Sequence, residues 1–484
     1  MSKIRKSLAY SMADSYLSLP LQIVGTMIMA RLLTPVETGV FAVAAVFASL
    51  ASTFRDFGVA EYLIQEKELT SEKIRAALSV NIAISWAMGA LLFFGASPVA
   101  DFYRSPGVAE VMRVQAFSFL LIPFGAVTMA SFRRQLDFRP IFIASLLANL
   151  TTFAVATVCA FKGLGYMSLA WSSLAGVVVT VATSVWFRPA AFPVWPGFKG
   201  IAEVLHFGKF ASGIYLVGQL GRGAPEMIIG RAQDMAGVAM FSRASGLVEL
   251  FHRTVLRAIA PVCMPYFAKN DREQGSMVQG YLMSISYVTV IGWPFLAFVG
   301  VIAYSAIRII YGSQWMASVP FAQILCLAGA IDLIHCLSKE LLMAGGHVKR
   351  CNALQLGNQL IHVAGLLMVI PYGLMGACWG LLAASILNLA YSQWHLGNGL
   401  GLRSADLVRS CATSLWISAL AVVPVAVCAN IAPLSEANYL WFAFAGGSIT
   451  GALWLLGLWL LKHPLWGEGV KSTQSFMARF QRRA

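Results

Sequence analysis

Apolar stretches of about twenty residues, separated by short polar clusters, follow one another along the whole chain. A helix crosses a bilayer with about 20 mainly apolar residues. Fourteen stretches reach that length: 8–30, 36–57, 76–97, 111–132, 140–161, 166–187, 206–230, 237–260, 276–303, 318–344, 351–371, 374–396, 410–430 and 438–461. The first, second, seventh, eighth and tenth are the least apolar. The longest hydrophilic connection, from Gly58 to Arg75, is under twenty residues and too short to fold as a domain. The pattern predicts an all-α polytopic membrane protein with about fourteen transmembrane helices.

Composition agrees. Hydrophobic residues make up 58% of the 484 and charged residues 12%, against about 25% charged in soluble chains. The net charge of +14 is spread in bursts between apolar stretches, which orients a membrane protein rather than marking a nucleic-acid stripe. With the N-terminus inside, 22 of the 35 Lys and Arg fall on the cytoplasmic side, and only Arg31, Arg104, Lys162, Arg231 and Arg308 on the other. Both termini are therefore expected in the cytoplasm. Met1–Lys6 is basic, but the apolar stretch after it is too long for a cleavable signal and carries Asp14. The segment from Val470 to Ala484 reads either as a short basic helix on the anionic inner leaflet or as a solvated tail. The eight cysteines form no CxxC pair and read as core packers, with no metal assigned.

The chain has no G-x-x-x-x-G-K-[ST] loop and no H-E-x-x-H, and the glycines from Gly218 to Gly223 do not form a dinucleotide fingerprint. Chemistry must reside inside the helix bundle, where transport is the default task, so no enzyme activity and no cofactor are expected. A shift of about 208 residues aligns Gln115 with Gln323, Asn149 with Asn358, Gly163-Leu164 with Gly373-Leu374, and Trp171 with Trp379. At a shift near 200, Met29-Ala30-Arg31 to Gly39 matches Ile229-Gly230-Arg231 to Gly237. The repeat predicts six-helix lobes at 1–200 and 201–400, related by a pseudo-two-fold axis along the membrane normal, with two extra helices and a basic tail at 401–484.

Ionisable side chains in hydrocarbon are costly and normally face a wet interior. On an ideal helix, Arg243, Glu249, Arg253 and Arg257 of the eighth stretch share a sector about 120° wide over about 21 Å. Their alternative role is snorkelling, or pairing of Glu249 with Arg253. The seventh stretch places Gln219, Arg222 and Glu226 on one face beside Pro225; the first has Pro20 and a polar face with Asp14. Pro20 and Pro225 are candidate hinges, or static kinks. The tenth presents Asp332, His335 and Lys339, with Glu340 nearby. The eleventh offers Gln355, Asn358, Gln359 and His362, read as interhelical glue before sugar contacts. Arg222, Arg243, Arg253, Arg257, Gln219 and Lys339 are the candidate substrate-binding residues. Asp14, Glu226, Glu249 and Asp332 are the candidates for coupling to a proton or sodium gradient.

The stretch Ala30-Arg31-Leu32-Leu33-Thr34-Pro35, then Gly39, Phe41, Asp56-Phe57-Gly58-Val59 and Leu63-Ile64-Gln65, resembles the opening of the oligosaccharide flippases of the multidrug/oligosaccharidyl-lipid/polysaccharide exporter superfamily. It is most similar to the branch of colanic-acid, teichuronic-acid and succinoglycan exporters. Arg222 with Ile228-Ile229-Gly230-Arg231, and Gly373-Leu374-Met375-Gly376-Ala377, are similar to the second-lobe stretches. That family usually carries Asp or Asn before Ile-Ile-Gly-Arg; here Pro225 and Glu226 stand nearby, and no sodium site is carried over. The resemblance implies a flippase moving a polyprenyl-diphosphate-linked oligosaccharide to the outer leaflet for exopolysaccharide or lipopolysaccharide synthesis. It places the chain in the bacterial inner membrane as a monomer, with polymerase or export machinery as candidate partners. The alternatives are a multidrug cation antiporter of the same superfamily, a peptidoglycan-precursor flippase, and a membrane glycan polymerase or ligase, which the missing outer loop disfavours.

Overall fold

The structure, a computed structural model, describes residues 2–468 except 57, 190, 191, 194 and 273–275, and within helices omits the side chains of 2–6, 8, 15, 207–217 and 271. The basic segment 470–484 lies outside the described residues. Every regular element among those described is helical. The chain forms two compact units, Met1–Ala239 and Met240–Ala484.

The first unit holds α1 (Ser2–Leu32), α2 (Pro35–Asp56), α3 (Val59–Gln65), α4 (Ser71–Tyr103), α5 (Pro106–Leu121), α6 (Pro123–Arg134), α7 (Phe138–Phe161), α8 (Met167–Trp186) and α9 (Ile201–Ala232). α10 (Met235–Phe251) begins in it. Between α1 and α2, the Thr34 hydroxyl accepts from the Glu37 amide at 3.3 Å, and Glu37 Oε2 accepts from the Thr34 amide at 2.8 Å. This reciprocal cap satisfies donors that a helix start leaves orphaned. Two hundred residues on, Asp234 Oδ1 accepts from the Gly237 amide at 2.6 Å and does the same for α10.

Glycines set the closest approaches. A Cβ on Gly39 would lie 2.5 Å from the Met235 carbonyl carbon and closer still to its oxygen, so α2 and α10 meet there backbone to backbone. Gly223 and Gly230 seat α9 on Val46 and Val43 of α2. α1 lies along α7, whereas α9 lies along α2 and α4.

The second unit continues through α11 (Arg257–Arg272), α12 (Met277–Val301), α13 (Ala303–Ile310), α14 (Val319–Asp332), α15 (Ser338–Ala344), α16 (Val348–Val369), α17 (Gly373–Leu400), α18 (Ser404–Ile431) and α19 (Tyr439–Leu460). Its core gathers Phe251, Phe267, Tyr281, Leu333, Leu337, Leu341 and Leu396. Thr289 of α12 donates to Ser414 of α18, which donates on to the Ser286 carbonyl, so two apolar helices share a satisfied polar contact.

Among the described residues, nine helices are long and apolar enough to cross a membrane, or ten when α5 and α6 count as one span bent by 55°. One of the nine runs from Val348 to Leu400. As a single helix it would measure about 80 Å, far beyond a hydrocarbon core of about 30 Å. Instead a Cβ on Gly365 would lie 2.9 Å from the Gly380 carbonyl oxygen, so α16 and α17 form an antiparallel hairpin. Gly163, in the turn before α8, has φ +77°, and Gly373, at the start of α17, has φ +83°, a left-handed conformation that favours glycine. The helices α1, α9 and α10 are not among the nine.

Three expected spans are not continuous α-helices. The fourth bends at Ile122, because Pro123 has no N–H to donate and restricts the residue before it. The eighth passes through a π-turn at His252–Leu256, with the Arg257 amide bonded back to the His252 carbonyl. The ideal-helix arc drawn over Arg243 to Arg257 therefore does not hold across that turn. The tenth opens into turns at 333–337, where i to i+3 bonds such as His335 N–H to the Asp332 carbonyl replace the helical ladder. No proline lies there; buried Leu333 and Leu337 tie the break to the core. The proline-bearing α1 and α9 run unbroken through Pro20 and Pro225.

Candidate functional site

In the first unit, Ser49 of α2 anchors the polar face of α9. Gln219 Nε2 donates to Ser49 Oγ at 2.9 Å, and Gln219 Oε1 accepts from Arg222 Nη2 at 2.7 Å and from Nε at 3.3 Å. Arg222 is exposed, and its fork is steadied by an amide rather than neutralised by a carboxylate. One turn on, Glu226 Oε2 is buried without a partner. On α1, Asp14 accepts from Ser18 at 3.3 Å, and Asn149 of α7 donates to Ser18 at 2.9 Å. Asp14 thus belongs to a hydrogen-bonded seam between α1 and α7.

In the second unit, the guanidinium carbon of Arg243 lies 4.8 Å from the Trp315 ring centroid and 5.2 Å from that of Tyr311. Its Nε is buried without a partner. The aromatic faces stabilise the cation and hold it. Arg253, within the π-turn, and Arg257, just after it, behave differently. Glu249 Oε1 accepts from Arg253 Nε at 3.1 Å and lies 3.9 Å from Arg257 Nη2; the side chains of Glu249, Arg253 and Arg257 are 43%, 55% and 72% exposed. One carboxylate holds two guanidinium groups in a loose, accessible ladder that an incoming oxyanion could enter. The π-turn keeps all three together although the ideal-helix arc fails.

Asp332, at the C-terminus of α14, has Oδ1 buried without a partner and faces Ser385 of α17. Lys339 is exposed on α15, forms no ion pair with Asp332, and accepts through its carbonyl a weak bond from Cys351 Sγ at 4.0 Å. His335 Nδ1 and Glu340 Oε2 are likewise buried and unpartnered. Sequence reasoning did not single out one face of α17, where Ser385, Asn388 and Ser392 each keep a buried polar atom without a partner. Their spacing of three and four was the available signal. Asn388 donates to the Asn358 backbone carbonyl at 3.4 Å, while Asn358 Oδ1 is itself buried without a partner, so this contact does not use the side-chain amide read as glue in the eleventh span.

Outside the spans, charges do local work. Arg134 donates to the carbonyls of Leu63, Ile64 and Lys67, closing the end of α3. Lys73 lies 3.0 Å from Glu66, and this hydrogen-bonded partner holds the carboxyl below its ordinary range. Arg308 of α13 grips Glu436 through Nε and Nη2, joined by Tyr304, and lowers that carboxyl too. Among the described residues no group of three or more His, Cys, Asp and Glu could hold a metal ion.

The chain is 22% identical over 406 residues to the teichuronic acid biosynthesis protein TuaB of Bacillus subtilis, covering 82% of this chain and 83% of that one. It is 25% identical over 337 residues to the succinoglycan biosynthesis transport protein ExoT of Rhizobium meliloti, covering 68% and 66%. The fold is similar to that of the lipid II flippase MurJ in an inward closed conformation, with TM-score 0.77, 14% identity and coverage of 95% and 99%. A multidrug resistance MATE family transporter of the MOP superfamily, inward-facing, gives TM-score 0.59 at 16% identity, covering 81% and 95%. Residues 28–320 match the model of the family described as polysaccharide biosynthesis protein. By that match the chain, a multi-pass membrane protein, belongs to the polysaccharide biosynthesis protein family.

Proposed function

We propose that this protein is a flippase that carries a polyprenyl-diphosphate-linked oligosaccharide from the cytoplasmic to the outer leaflet of the bacterial inner membrane. The observation that carries the reading is the exposed Glu249–Arg253–Arg257 ladder on a segment whose Phe251, Leu256, Cys263 and Phe267 pack into an apolar core. Guanidinium forks bind phosphate oxygens bidentately, while the shared carboxylate limits uncompensated charge when no substrate is present. In the second unit Arg243, held by its aromatic pair, adds fixed positive potential, and in the first unit Arg222 offers a guanidinium fork of its own. The names of TuaB and ExoT, both polysaccharide proteins, support a glycan cargo.

In this reading fourteen spans form two duplicated six-helix lobes plus two helices, with both termini cytoplasmic. The head group crosses by alternating access while the lipid tail stays in the bilayer. With no nucleotide-binding loop, the drive is an ion gradient, the membrane potential or removal of product by later enzymes, and for a proton or sodium gradient the carboxylates Glu226 and Asp332, each with one oxygen buried without a partner, are the first coupling residues to test. Glu249 and Asp14, each already hydrogen-bonded, come second.

The test is polymer export in a strain lacking the gene, complemented with Arg222→Ala, Arg253→Ala or Arg257→Ala. Loss of export with normal membrane levels is expected. Full export by all three removes the diphosphate grip.

A further inference from the structure

Arg350, in the first turn of α16, makes no hydrogen bond to protein, and no carboxylate lies within 4.0 Å of it among the described residues. Its Nη1 is nevertheless shut away from solvent. The His395 ring of α17 lies close enough for the two groups to interact electrostatically. That ring is 6% exposed, and its Nε2 is also buried and unpartnered. Edge-on rings of Tyr391 and Trp394, at 4.7 and 4.8 Å, fix its plane. Gly399 makes room: a Cβ there would come within 2.8 Å of Arg350 Nη1.

A buried N–H donor left without an acceptor costs free energy. The nearby carboxylates do not relieve it. Glu340 interacts with Lys339, and Asp406, in the first turn of α18, forms no ion pair with Arg350. Exposed Lys349 beside it, and Arg403 just past the end of α17, make this end of the α16–α17 hairpin more positive still. The first amides of α16 are free of intrahelical acceptors and uncapped by His347.

We infer that Arg350 and His395 form a phosphate site at this end of the hairpin, distinct in its residues from the Glu249 ladder. A planar fork and an imidazole N–H, with helix amides nearby, suit a tetrahedral oxyanion with several acceptor oxygens. The phosphate is supplied either by an anionic lipid head group or by a free phosphate compound.

Binding is read on the full-length protein in detergent, independently of export, so failure of this site and failure of the flippase reading are separable. Sodium pyrophosphate and phosphatidylglycerol are each compared with chloride at matched ionic strength by thermal shift and native mass spectrometry. At least one phosphate probe should raise the melting temperature above chloride. Arg350→Gln should weaken that probe about ten-fold or more, the worth of a charge-assisted hydrogen bond. Gly399→Ala, which pushes the fork aside but keeps the charge, should do the same and carries the test if Arg350→Gln fails to fold. Stabilisation lost in Arg350→Gln and seen with phosphatidylglycerol alone assigns a head group; stabilisation lost in that variant and seen with pyrophosphate alone assigns a free phosphate compound. Equal melting temperatures in chloride and both probes, or undiminished affinity in the variants, overturn the site.

Discussion

Gly39→Ala tests the tightest helix crossing in the first unit. The added methyl would sit 2.5 Å from the Met235 carbonyl carbon and 3.0 Å from its Cα. Carbon atoms prefer separations of about 3.5–4.0 Å, so α2 and the start of α10 must part by at least an ångström. Neither obstructing atom belongs to a flexible side chain that could rotate away. Overpacking usually costs about 1–3 kcal/mol, and a backbone clash belongs at the upper end. At about 2–4 °C per kcal/mol for a unit of this size, the melting temperature should fall by about 6–12 °C. The matched control is Gly95→Ala in α4, where nothing lies within 4 Å of the new methyl. There, removing glycine from a helix interior should gain about 0.5–1 kcal/mol. Purified protein in one detergent, followed by intrinsic fluorescence on heating, gives both values. A Gly39→Ala protein melting with wild type would refute the crossing.

Three further outcomes follow from local geometry. Glu249→Gln removes the shared carboxylate from two exposed arginines; stability should change by less than about 1 kcal/mol, while pyrophosphate binding should tighten, and unchanged binding would take the ladder out of the substrate path. Thr34→Ala removes half of a reciprocal cap and should cost about 0.5–2 kcal/mol, read as a drop in melting temperature; no drop would mean the cap carries no energy. Arg308 holds the Glu436 carboxyl below its ordinary 4.5, and a depressed carboxyl contributes stability that is lost only as pH falls through its folded value. The clasp should therefore persist at pH 5 and open only as pH falls below the ordinary carboxyl range, seen as faster amide exchange in α13 and at 432–438; protection of these segments that stays level all the way down to global acid unfolding would dismiss it.

The spans that could be read from sequence are those whose apolar run decides the matter alone, such as Phe138–Phe161 and Tyr439–Leu460. The π-turn after Phe251 and the opened segment at 333–337 carry no local mark, since they answer to packing around Phe251, Leu333 and Leu337. Glu249 and Arg253 could be paired in advance because they are four residues apart on one helix. Arg243 could not be assigned its partners, because Tyr311 and Trp315 lie about seventy residues away and meet it only in the folded unit. Arg350 and His395 were invisible for the same reason: each looked ordinary on its own helix, and only their shared lack of a partner singles them out.

The Thr34–Glu37 cap has a consequence for comparing such chains. The residues from Ala30 to Gly39 that make this sequence recognisable are spent on ending one helix, starting the next and letting α2 meet α10. They are punctuation, indifferent to what is carried. A search seeded on them gathers proteins that begin a rod in the same way, whatever their task. Under the proposed flippase function, sorting those proteins by cargo starts instead from the side chains equivalent to Arg222, Glu249, Arg253 and Arg257, where charge is exposed.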